Sequence, residues 1–143
     1  MLSSFVLPPP QASAATLEIF PSNADASCNE EFENLANALR PGDVSILHGG
    51  TYTQPCRRAI TVNGTAANPI TIRAAGGESP IVTRPQPVNF SYDQNNIDIT
   101  SSSYLVIQGL HFKGGDGGVN FIGGHHITSR ATRSTRPGTT PSA

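Results

Sequence analysis

The chain has 143 residues, room for one domain, and a net charge of −1 with a pI of about 6.4. Charged residues make up only 13%, against about a quarter in ordinary globular domains. No Lys/Arg cluster lies on a patterned element, which argues against nucleic acid as a partner. No apolar run approaches the roughly 20 residues that a membrane-spanning helix needs, and 14 Gly with 12 Pro suit a turn-rich all-β chain.

Residues 1–15 read as a degenerate signal peptide. Leu2–Leu7 is apolar and Ala12-Ser13-Ala14 forms a small-residue cleavage site. The basic start is missing and Pro8–Pro10 interrupt the run, so an N-terminal extension is the alternative. Leu17–Phe20 follows as a first strand. Phe32, Leu35, Ala36 and Leu39 then recur at helical spacing. Ser27 or Asn29 would cap this helix, Glu30, Glu31 and Glu33 suit its positive end, and Pro41-Gly42 would stop it.

Four β-branched runs follow, Val44–Leu47, Ala59–Val62, Ile70–Ile72 and Ile81–Val82, each bounded by Gly, Pro, Asn or Asp. The gaps are too short for helices, which excludes doubly wound α/β order. The separations Ile46 to Ile72, Ile60 to Ile81, Ile81 to Ile107 and Ile107 to Ile127 are 26, 21, 26 and 20 residues, within the repeat range of solenoids. After a polar loop over 85–96, strand character returns at Ile97–Thr100, Leu105–Ile107, Leu110–Phe112, Val119–Phe121 and Ile127–Thr128. The glycines at 114–118 and 123–124 permit sharp turns. No helix follows them, so they do not read as a phosphate-binding loop. Residues 130–143, rich in Arg, Ser, Thr and Pro, read as a disordered tail.

The segments GDVSILHGGTY, AITVNGTAANPITIRAAGGESPIV and YLVIQGLHFKGGDGGVNFIGGHHIT resemble the N-terminal coils of right-handed parallel β-helix proteins of the pectate lyase-like superfamily, particularly secreted polysaccharide lyases. The resemblance spans 17–128. It implies an all-β solenoid over 16–129 with one short capping helix, and a secreted protein. Cys28 and Cys56 would then form a disulfide tying cap to coil, with two free thiols as the alternative. Asn63-Gly64-Thr65 and Asn89-Phe90-Ser91 fit the glycosylation pattern, although this composition produces about two such sequons by chance. An uncapped last coil would favour self-association.

The resemblance further implies β-elimination on an acidic polysaccharide, pectate first. That chemistry needs a base for the C5 proton of a uronate and a cation, Ca²⁺ or Arg/Lys, for its carboxylate. In the resembled lyases the base and an Asp-rich calcium site lie on coils further along, so this chain is expected to be an N-terminal portion lacking the active centre. No Asp cluster with calcium-loop spacing occurs. Its own candidates are Lys113, His111 on the same strand face, and Asp116 in the next turn. The plainer reading is a solvated lysine and a turn-forming aspartate. His125 and His126 alternate faces in a strand, which would keep them from sharing a metal. His48 reads as a turn residue. The competing reading is a non-catalytic glycan-binding or structural β-helix with Tyr52, Tyr92 and Tyr104 as stacking rings, and a gene remnant is a third.

Overall fold

The computed structural model describes residues 13–23, 28–85, 95–114 and 118–135. Among the described residues the chain is all-β apart from one short helix, and every strand pairing is parallel. The strands are β1 (Thr16–Ile19), β2 (Val44–Leu47), β3 (Gly50–Thr53), β4 (Arg58–Ile60), β5 (Ile70–Ala74), β6 (Pro80–Arg84), β7 (Ile97–Gln108), β8 (His111–Gly114), β9 (Val119–Arg130) and β10 (Arg133–Thr135).

The pairings sort them onto three ladders. One runs β4–β7–β9 through Ile97–Thr100, a second runs β1–β2–β5–β7–β9 through Leu105–Gln108, and the third runs β3–β6–β8–β10. The long strands β7 and β9 join the first two ladders into one sheet. From β2 onward the chain visits the second ladder, the third and then the first, and repeats that rotation. Each residue therefore pairs with one a full pass away: Val44 with Thr71, Ile81 with His111, Leu105 with Ile127.

Alternation sends one side of each strand inward. Tyr52, Val82 and Phe112 stack along the third ladder, Ile70 and Leu105 along the second, and Ile60 and Ile99 along the first; all are at most 1% exposed. Each such side chain contributes about 1.5–3 kcal/mol relative to exposure. Corners repeat as well as strands. Left-handed backbone occurs at Ser101 and Gly123, at Tyr104 and His126, and at Gly109 and Ala131. The β7–β9 register places the members of each pair at equivalent points of successive passes.

The helix α1 (Glu31–Asn37) comes where the rotation would call for the strand preceding β4. Its side chains do that strand's work: Glu33 accepts from the Ala59 N–H (2.9 Å), while Asn37 accepts from the Thr61 N–H (2.9 Å) and donates to the Ala59 carbonyl (2.8 Å). The open edge of β4 is thereby satisfied. Phe32 and Ala36 join the common core. The N-cap is Glu30, with no side-chain cap bond, and the helix ends at Ala38, before Pro41. Of the expected caps, Asn29 accepts a bond from Asn34 instead (2.7 Å), and Ser27 lies outside the described residues.

Beneath the helix start sits a buried polar corner. Arg58, fully buried, binds the Glu30 carboxylate through Nε (2.6 Å) and Nη2 (2.9 Å). Its other N–H groups reach Asn96 and the carbonyls of Tyr52 and Thr83. Asn96 in turn donates to the Val82 and Lys113 carbonyls (2.8 and 3.0 Å). Two residues upstream of each ion-pair partner, Cys28 and Cys56 form the expected disulfide, Cα atoms 5.7 Å apart.

The runs Ile97–Thr100 and Leu105–Ile107 are continuous in β7, as are Val119–Phe121 and Ile127–Thr128 in β9, and two further regions differ from the sequence reading. β3 was not among the expected strands. The expected disordered tail begins inside structure: Arg130 closes β9, and β10 extends the third ladder, with the Arg133 N–H bonded to the Leu110 carbonyl (2.9 Å). The ordering comes from the backbone ladder, with little apolar burial. Residues 136–143, the signal-like segment 1–12, Asn89, Tyr92 and Asp116 lie outside the described residues.

Candidate functional site

The third ladder presents a regular outer face. With Tyr52, Val82 and Phe112 pointing in, their neighbours point out in two columns. One is Thr51–Ile81–His111–Arg133, and the other begins Thr53–Thr83–Lys113. Neighbouring strands lie about 4.8 Å apart, so register alone brings His111, Lys113 and Arg133 together. The sequence reading joined the first two and assigned Arg133 to the tail. The signal it lacked was β10, whose single inward side chain, Ser134, leaves no hydrophobic mark.

Lys113 is exposed and His111 half-buried. Burial, and then the positive charges of Arg133 and Lys113, hold the His111 pKa below its ordinary value of 6.5. The imidazole is therefore neutral at pH 7, a proton acceptor set between two cations. A cavity of about 170 Å³ opens beside it, lined by Ser79, Gly109, Leu110, His111, Ala131 and Arg133. Behind this face, Arg84 donates to the carbonyls of Pro55 (3.2 Å) and Asn95 (2.7 Å), which anchors the neighbouring loops. Such an arrangement can attract carboxylates and accept a proton close to one.

The other candidates sort as follows. Tyr52 is fully buried, its hydroxyl donating toward the Ile19 and His48 carbonyls (2.8 Å each), so it cannot stack on a sugar. Tyr104 is half-buried against His126. His48 stacks on Phe20 (centroids 4.3 Å apart) and bonds Glu78 through Nδ1 (2.9 Å), closing the corner after β2. Asn63 is exposed and accepts from the Ser103 hydroxyl (2.9 Å). His125 and His126 do not alternate: both are exposed, their Nδ1 atoms 2.8 Å apart, because His126 has a left-handed φ of 56° that breaks the two-residue period. Among the described residues no group of three or more His, Cys, Asp or Glu could hold a metal.

No protein-family model matches the chain, and no curated protein sequence matches it significantly. Among solved structures it is similar to an alginate lyase from Paenibacillus sp. str. FPU-7, with a TM-score of 0.60 and 22% identity over 84% of this chain. The chain thus shares a polysaccharide lyase-like fold. It spans about a third of that protein's length, 36%.

Proposed function

We propose that the protein is a right-handed parallel β-helix of the secreted polysaccharide-lyase type, and that the outer face of its third ladder engages an acidic polysaccharide. The observation that carries this reading is the register placing His111, Lys113 and Arg133 on one outer face. The fixed rotation through three ladders and the repeated left-handed corners support the β-helix, and the disulfide accords with an oxidising compartment. The fold shared with an alginate lyase supports the polysaccharide class. Polymers of uronic acid fit best, since each sugar carries a carboxylate for the cations. Pectate and alginate both qualify. In this reading the chain corresponds to the N-terminal portion of a lyase, and the principal base and any calcium belong to further coils.

The test is direct. Polygalacturonate and alginate should bind the chain, a neutral polymer such as dextran should not, and added salt should weaken binding because exposed charges are screened. Unsaturated products, followed by absorbance with and without calcium, distinguish cleavage from binding alone. Equal affinity for neutral and acidic polymers would overturn the proposal.

A further inference from the structure

Tyr104, His125 and His126 meet at the corner between the first and second ladders. The register pairs Ser103 with His125 and Leu105 with Ile127, so Tyr104 and His126 occupy equivalent positions. Both have left-handed backbone, φ 48° and 56°. That conformation is uncommon for bulky side chains and gathers at functional sites. Its consequence here is that two consecutive imidazoles emerge on the same side. The His126 ring lies flat on Tyr104, centroids 4.5 Å apart and planes within 7°. The His125 ring stands edge-on to the same tyrosine, 5.5 Å away at 90°.

We propose that His125 and His126 form a two-nitrogen binding site for divalent copper, with Tyr104 as a positioning residue and water completing the coordination. The two Nδ1 atoms face each other 2.8 Å apart, which brings two imidazole donors to one exposed point. Imidazole ligands suit copper(II), which heads the affinity order of the divalent first-row metals.

In the metal-free protein one Nδ1–H donates to the other Nδ1. Ligation by both requires that proton to sit on Nε2, a tautomer shift that exposed rings make through water. No electron is transferred and no covalent bond between carbon, nitrogen or oxygen is broken. The ion adds to two lone pairs and loses two waters. The site is independent of the glycan-facing columns on the third ladder.

The experiment is a titration of the full chain with copper(II) sulfate in a non-coordinating buffer, read by calorimetry and electron paramagnetic resonance. The expected result is a tightest site of one copper per chain whose spectrum shows two nitrogen ligands. His126→Ala should weaken that site at least tenfold and reduce the signal to one nitrogen, with the unfolding curve unchanged. His125→Ala should act likewise, and His48→Gln should leave the site intact. Tyr104→Leu should weaken it by a few-fold and Tyr104→Phe should restore it, which a purely structural tyrosine would not do. Copper bound with wild-type affinity by both histidine variants, or a wild-type signal lacking two nitrogens, would overturn the proposal.

Discussion

The two ends of the strand stack are finished in opposite ways. At the β4 end, a helix satisfies the strand edge, the Cys28–Cys56 bridge crosses 28 residues, and the Arg58 guanidinium is enclosed by Glu30, Asn96 and backbone carbonyls. At the β9–β10 end, Phe121 and Ile122 are each 46% exposed, and a cavity of about 200 Å³ opens between inward residues such as Ile107, Phe112 and Val119. Stability should therefore concentrate at the β4 end.

The largest effect should come from Arg58→Met, which leaves the Glu30 carboxylate buried and alone. A loss of about 3–5 kcal/mol in denaturant unfolding is expected. Adding Glu30→Gln to that variant should recover part of the loss, because the unpaired charge is gone. Next, replacing both cysteines by serine should cost about 3 kcal/mol, seen as a lowered midpoint relative to the oxidised protein. Tyr52→Phe removes a buried hydroxyl that donates toward two carbonyls, at about 1 kcal/mol.

Tyr52 also makes the comparison depend on pH. Burial raises its pKa from 10.0 to about 12. Between those values the folded protein holds a proton that the unfolded chain has released, so stability is full below pH 10 and falls as pH rises toward about 12. Tyr52→Phe should flatten that slope. The smallest effect on stability is expected at the open end. Phe121→Thr with Ile122→Thr should change unfolding by less than about 1 kcal/mol, since both side chains already face solvent. Light scattering should show less self-association in this variant than in the wild type.

What the sequence makes legible follows the same division. Val44–Leu47 reads as a strand with its observed bounds, because Leu47 is apolar and points inward. Ile72 and Ile107 do pair one pass apart, but Ile46 pairs with Arg73, since turns of unequal length shift the register away from simple isoleucine spacing. β3 is hidden because Gly-Thr-Tyr-Thr carries only one inward residue, a tyrosine that sequence alone leaves as a candidate sugar platform. The Glu30–Arg58 pair carries no pattern of its own; its one trace is the 28-residue offset that it shares with the cysteines. Of the residues on the outer face of the third ladder, His111 and Lys113 were legible by strand alternation. Arg133 was not, because backbone pairing and not apolar burial orders β10. Nothing in two adjacent histidines announces a left-handed residue, so their meeting on one side was equally hidden.

The claim that the outer face of the third ladder engages an acidic polysaccharide is tested most directly by the double variant Lys113→Ala with Arg133→Ala. Binding to polygalacturonate and to alginate would be measured by calorimetry at low salt, beside thermal unfolding. Exposed charge contacts contribute about 0.5–1 kcal/mol each. The account predicts affinity lower by about five- to thirtyfold, with unfolding unchanged. Wild-type affinity in a folded double variant would contradict it.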